Sequence, residues 1–426
     1  MPSGDTVRRG LSAILLTGGM QAAIQGFAFL SGLIVIRLLP VHEYAYYTIA
    51  NATLGTLIVL TDCGIAQGVM AQGGKVWQSR DALGSVLVAG MALRRQFGAL
   101  AALVSMPVLY LLLTQQGAPS ASALLIAASI VPLFLSSLSG QVLEVVPRLH
   151  QRLMALQRIQ LSGSALRLVA AASLVTLFPY AWLANIGAGF GQVWAVWRLR
   201  RLGGELASLD AVPDRAARQS IVQQVRRTAP SAVYYAFAGQ ISVWLISILG
   251  STESVAQVGA LGRLAVVFNV IAAVFTLVFV PRFARMQADQ GSGVLARYWF
   301  VQIAMLTSLA AIVSWVTLFP TLALAVLGPA YARLTHEVVL AAASGALGLL
   351  SGSAYALGGA RGIVIAPWFV VPFAILVQAV LIMSLPMSTV AGVLWLGVLT
   401  NLTFWVMHTL YFSSVEMKKK VSAVAG

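Results

Sequence analysis

The sequence predicts an all-α polytopic membrane protein, with about twelve transmembrane helices in two six-helix halves around a central cavity. Three observations carry this. Of the 426 residues, 59% are hydrophobic and only 9% are charged, a balance foreign to soluble domains. Apolar runs of roughly twenty residues, long enough to cross a bilayer, recur along the whole chain. The 27 Lys and Arg gather in alternate loops between those runs, as the positive-inside rule requires. The net charge of +15 therefore reports topology. No RNA-binding motif or basic–aromatic face accompanies it, so nucleic acid is not an expected partner.

The first span, about Leu11–Ile36, follows Arg8-Arg9. It is too long for a signal-peptide core and reads as an uncleaved helix with a cytoplasmic N-terminus. Pro40 ends it, because proline lacks the backbone donor and disfavours helix at Leu39. His42, Glu43 and three tyrosines then fall at an interface. The second span is about Tyr46–Met70. From Lys75 to Gln96, charged residues (Arg80, Asp81, Arg94, Arg95) alternate with Leu and Val, which predicts an amphipathic segment lying in the inner interface. The third span is about Phe97–Leu113 and the fourth about Ala121–Val146, with an outer loop between them. A basic turn at Arg148, His150, Arg152 and Arg158 leads to the fifth, about Ile159–Phe178, and the sixth is about Ala181–Trp197. Residues 1–197 thus form the N-terminal half. The Arg-rich stretch 198–227 reads as a cytoplasmic linker, and 228–426 as the C-terminal half.

The second half repeats the layout. Its spans are about Ala229–Leu249, Val255–Val280, Tyr298–Phe319, Glu337–Leu357, Ile363–Leu385 and Val390–Phe412. Arg282, Arg285, Arg297 and Arg361 mark inner loops, and Lys418-Lys419-Lys420 close the twelfth span. An even number of spans between two basic ends places both termini in the cytoplasm. The corner L-x-x-x-E recurs at Leu39–Glu43 and Leu249–Glu253, consistent with a six-span repeat.

Polar residues inside spans are costly and point to function. Arg263, in the eighth span, and Arg167, in the fifth, enter from opposite faces, and Arg37 ends the first at its outer side. A guanidinium can grip an anion bidentately in a cavity, or snorkel to the interface. Gln21 and Gln25 share one helix face, and Gln240 lies in the seventh span, with further amides at Asn269, Gln378 and Asn401. Amides suit sugar hydroxyls and also join helices. Asp62 and Glu144 are the acids nearest the membrane interior. Glu144 stands four residues before Arg148, the spacing of a helical ion pair. Asp62 reads as a structural partner of an inner arginine such as Arg167; both acids are also candidates for a coupling ion. Tyr234, Tyr235, Trp194, Trp197 and Trp244 could stack on sugar rings or anchor at the interface. Cys63 is the single cysteine, no nucleotide-binding loop occurs, and no metal-ligand spacing or triad appears, so an enzyme is not expected.

The corner R-L-L-P-x-x-E-Y-A (Arg37 to Ala45), the apolar run after it and D-C-G-I (Asp62 to Ile65) resemble the first hairpin of Wzx-type polysaccharide flippases. These belong to the multidrug/oligosaccharidyl-lipid/polysaccharide exporter superfamily. Val258 to Leu264 (VGALGRL) and Leu327 to Tyr331 (LGPAY) extend the resemblance. It implies a flippase of the bacterial plasma (inner) membrane, moving an undecaprenyl-diphosphate-linked oligosaccharide outward by alternating access. The arginines would hold diphosphate or acidic sugars, and Gln21, Gln25 and Gln240 the sugars. No cofactor is implied beyond a coupling ion, proton or sodium. The implied partners are the lipid-linked substrate, membrane lipid, and a polysaccharide polymerase and chain-length regulator. The rival expectations are a multidrug exporter of the same superfamily and a non-transporting member of a polysaccharide assembly complex.

Overall fold

Pro40 does stop the first helix. α1 (Gly4–Leu38) ends two residues before it, and α2 (Val41–Asp62) begins one residue after it. α2 ends where Cys63 and Gly64 both turn left-handed, with φ of 40° and 88°. The glycine is required there: a Cβ at Gly64 would lie 2.4 Å from Thr228 Oγ1. Helix resumes as α3 (Ile65–Val76). Ser79 then caps α4 (Arg80–Gln115), its hydroxyl accepting from Ala82 N at 3.4 Å. α5 (Ser120–Leu143), α6 (Val145–Leu149), α7 (Leu153–Leu177) and α8 (Ala181–Leu206) follow. Asp214 caps α9 (Arg215–Ala238) by accepting from Ala216 N and Ala217 N. The chain continues as α10 (Ile241–Leu249), α11 (Thr252–Leu264), α12 (Val266–Ala284), α13 (Gly291–Leu318) and α14 (Pro320–Ala325). A 3-10 turn at Pro329–Tyr331 leads into α15 (Thr335–Ala360), α16 (Pro367–Ser384) and α17 (Val390–Ala425).

This computed structural model describes residues 4–284 and 291–425, with side chains for 18–276, 279–280, 282–283 and 293–418. Arg285 and the side chains of Arg8, Arg9, Lys419 and Lys420 lie outside the described residues. Among the described residues there is no strand, and ten helices are long and apolar enough to cross a membrane. The pair α9 and α10 passes the same test only when taken together, and it is bent by 48° at a short break; counted as one span it would be an eleventh. α8 occupies the sixth expected position; it has the length, but its amides, glycines and tryptophans leave it less apolar. The all-helical, multi-pass expectation therefore holds.

Several boundaries differ from the sequence reading. Residues 80–96 are not a separate surface helix: α4 runs unbroken through them into the third span. Arg94, expected at the interface, is 0% exposed. The stretch 198–227 is mostly helix, with only residues 207–214 between α8 and α9. Those residues are pinned, not loose: Ser208 N donates to Arg80 O at 3.0 Å and Asp214 N to Ser85 O at 3.4 Å. The seventh span is broken, and Gln240 lies at the break instead of mid-helix.

The chain divides into two compact units, Met1–Ala256 and Gln257–Gly426. In the first, α9 packs Ala217, Ile221 and Val225 onto a core with Ile65, Val69, Leu83 and Leu87. Thr228 of α9 donates its hydroxyl to Cys63 O at 2.7 Å, fixing the α2–α3 corner. Leu54, Leu57, Phe134 and Leu138 join α2 to α5. Glu43, 7% exposed, accepts from Ala181 N at 2.7 Å and so caps the start of α8 from α2. In the second unit, Phe283, Tyr298, Leu357 and Phe412 form the core among α12, α13, α15 and α17. Polar bonds stitch the same helices: Trp405 Nε1 donates to Gln302 Oε1 at 3.0 Å, and Gln302 Nε2 to Ser353 Oγ at 3.1 Å. Buried amides and hydroxyls in lipid must find such partners.

Candidate functional site

Small residues let α7 and α8 touch backbone to backbone. A Cβ at Gly191 would lie 2.3 Å from Gly163 O and 2.9 Å from Arg167 N; at Gly187 it would lie 2.6 Å from Ala171 Cα. Such glycine seams are how membrane helices approach closely. Alongside this seam, α1, α2, α5, α7 and α8 enclose an open cleft of about 420 Å³. Apolar side chains such as Leu54, Ile58, Leu133 and Leu199 line it together with polar ones: Gln21, Asn51, Gln141, Glu144, Gln160, Ser164, Arg167 and Gln192.

The charges in this cleft are unequal in their commitments. Among the described residues Glu144 is the only acid lining it. Its carboxylate accepts from Gln160 Nε2 at 3.1 Å and pairs with Arg148, four residues on. Among the described residues Arg167 has no such partner: its Nε is buried and makes no hydrogen bond. Asn51 donates its amide to Tyr47 O at 2.7 Å, leaving its carbonyl oxygen for another donor. Among the described residues the cleft thus presents one guanidinium without an ion pair, several amides and the serines Ser137 and Ser164 amid apolar side chains. Chemically, it can take an anionic group at Arg167 and hydroxyls along the amides.

Of the residues that the sequence singles out, Gln21, Arg167 and Glu144 meet in this cleft. Gln25 lies one turn further along α1 and does not line it. Arg37 is exposed in the last turn of α1. Gln240 packs against α2, its Nε2 3.2 Å from where a Cβ of Gly55 would be. Arg263 is half-buried in the last turn of α11, in the second unit. Trp244 donates to Thr56 Oγ1 at 3.4 Å, and Trp194 and Trp197 lie under Arg198 and Arg201.

Asp62 does not neutralise Arg167. Its two oxygens accept from Gly64 N at 3.3 Å and Ala66 N at 3.2 Å, capping α3. Its arginine is Arg94, whose Nε is 4.0 Å from Asp62 Oδ1. No nitrogen of the Arg94 guanidinium makes a hydrogen bond. The physical reason is the continuity of α4, which carries Arg94 into the core instead of leaving it at the surface.

Sequence reasoning passed over Asn51, Gln141, Gln160, Ser164 and Gln192. A signal existed. Ser137 and Gln141 on α5 and Glu144 just after it recur at helical spacing, and Gln160, Ser164 and Arg167 do so on α7. Each triplet is a polar stripe on an apolar helix, more telling than any single member.

No protein-family model matches the sequence, and no curated protein matches it. Solved structures do resemble it. One is an inward-facing multidrug resistance MATE family transporter of the MOP superfamily, at TM-score 0.67 and 14% identity, covering 92% of this chain and 94% of that one. An outward-facing structure of such a transporter gives TM-score 0.61 and 15% identity over 96% of this chain and 95% of that one. A eukaryotic MATE transporter, AtDTX14, gives 0.55 and 15% over 98% and 99%. The fold therefore defines a multi-pass helical membrane protein. In particular, its architecture is that of the MATE transporters of the MOP superfamily.

Proposed function

We propose that this protein is a transporter that flips an undecaprenyl-diphosphate-linked oligosaccharide across the bacterial plasma membrane, from the inner to the outer leaflet, for surface polysaccharide synthesis. One observation carries the reading: an unneutralised, part-buried arginine in a cleft walled by amides. A sugar bearing phosphate or carboxylate needs that pairing of groups, one cation and many reversible hydrogen-bond partners. The MATE-type fold and the resemblance of the Arg37–Ile65 corner to Wzx-type flippases support the same direction. Arg167 and Gln21, with Gln141, Gln160 and Gln192, form the proposed substrate subsite of the first unit. Arg263 and Arg37 are proposed as further anion contacts on the substrate's route. Both termini are proposed to be cytoplasmic. Glu144 and Asp62 remain coupling-ion candidates, though both are engaged structurally.

The neighbours described as multidrug transporters favour a second reading, export of organic cations. A cationic drug would seek a free carboxylate, and in this cleft the one carboxylate is paired with Arg148. The test is Arg167→Ala in cells that depend on the protein for surface polysaccharide. Export should fall roughly 10- to 100-fold, the value of a charge-assisted hydrogen bond, at unchanged membrane abundance. Arg167→Lys should recover part of it, losing only the bidentate fork. Full export by Arg167→Ala would remove the subsite.

A further inference from the structure

We infer that the first unit carries a second, separate site: a headgroup pocket for an anionic phospholipid at its basic end. Beside the turn that leaves α8, a pocket of about 520 Å³ gathers three arginines from two helices, Arg80 and Arg95 of α4 and Arg200 of α8. It shares no residue with the amide-walled cleft.

The pocket is built. Ser208 O passes so close to α4 that a Cβ at Gly84 would lie 2.0 Å from it, so only glycine allows this contact. Arg80 donates to Gly204 O at 2.5 Å, binding the last turn of α8 to the start of α4. The wall is therefore fixed by backbone contact, and Arg80 is engaged in holding it.

Arg95 and Arg200 are not engaged. Both are exposed, and neither makes a hydrogen bond or ion pair among the described residues. Their neighbours on α8 differ: Arg198 lies 5.8 Å from the Trp194 ring centroid and Arg201 lies 3.7 Å from that of Trp197. Two arginines of the α8 run thus cover tryptophan faces, while the third turns to the pocket. Besides the arginines, apolar side chains line the pocket: part-buried Val88 and Ala92, with Met91 buried behind them. Among the described residues Asp210 is the one acid lining it, so the charged side chains sum to a net positive site.

Two uncommitted guanidiniums in a pocket that also has apolar lining fit an amphiphile: a phosphate at Arg95 and Arg200, and the first carbons of an acyl chain against Val88 and Ala92. The charge bias of the chain puts this end at the cytoplasmic leaflet. There, basic pockets between transmembrane helices take up anionic headgroups. Asp210 can accept from a headgroup hydroxyl, which a phosphatidylglycerol supplies.

The experiment is lipid binding to the full-length, delipidated protein, read by native mass spectrometry and by the thermal midpoint. Phosphatidylglycerol should bind and raise the midpoint; phosphatidylcholine should do neither. Arg95→Gln with Arg200→Gln should weaken phosphatidylglycerol binding roughly 10- to 30-fold, at about one charge's worth of attraction each. Arg198→Gln with Arg201→Gln removes the same charge outside the pocket and should leave binding within about twofold. Equal loss in both double variants would mean diffuse surface attraction and would overturn the site. Equal stabilisation by inorganic phosphate would overturn the lipid as its ligand. Equal binding of phosphatidylethanolamine and phosphatidylglycerol would overturn the anionic selectivity.

Discussion

Asp62 and Arg94 allow a structural role to be separated from a coupling role by stability alone. The Arg94 guanidinium is 0% exposed and Asp62 keeps 26%, with 4.0 Å between Nε and Oδ1. Removing one partner of a fully buried pair costs about 3–5 kcal/mol, since it leaves the other charge without compensation. The partial exposure of Asp62 argues for the lower end, about 3 kcal/mol. Asp62→Ala also leaves Gly64 N and Ala66 N without their acceptor, which adds about 1 kcal/mol. At roughly 2–4 °C per kcal/mol, the thermal midpoint in detergent should fall by about 10 °C. Replacing both residues, Asp62→Asn with Arg94→Met, removes the buried charge and keeps one cap acceptor. That protein should melt close to the parent, because apolar replacement of buried pairs is often neutral. If Asp62→Ala and the double variant melt together, Arg94 carries no uncompensated charge and the reasoning fails. A double variant that is stable but inactive in transport would instead give Asp62 a coupling role.

Two further outcomes follow from the packing. Gly191→Val should sharply lower membrane abundance, because its Cβ alone would lie 2.3 Å from Gly163 O; immunoblotting of membrane fractions checks this, and normal levels would mean that α7 and α8 can separate. Glu43→Ala should lower the thermal midpoint by roughly 1–3 kcal/mol worth of stability, since it leaves the buried Ala181 N unsatisfied, and Glu43→Gln should restore most of it through the amide oxygen.

Much of the fold was legible because each span must be apolar and charge gathers in the connections between spans. Pro40 set the first corner, and the last four expected spans lie close to α13, α15, α16 and α17. Gln21, Arg167 and Glu144 stood out because charge or amide in a span is rare. What stayed hidden depended on partners distant in sequence. Residues 80–96 look amphipathic, yet Arg94 is buried because Asp62, from another helix, lies beside it. The break at Cys63–Gly64 rests on Thr228, which no local pattern announces. The 198–227 stretch looked solvated because its arginines are exposed, while its backbone is held by α4. The cleft itself was visible only as stripes on α5 and α7, and seeing it required knowing that those helices adjoin.

Reconstitution tests the central claim most directly. Purified protein in liposomes would be given a labelled undecaprenyl-diphosphate oligosaccharide in one leaflet, and its appearance in the other would be followed by chemical accessibility of the sugar. The account predicts translocation well above protein-free liposomes, with Arg167→Ala reduced roughly 10- to 100-fold. Translocation no faster than in protein-free liposomes, from protein that moves an organic cation in the same vesicles, would contradict it.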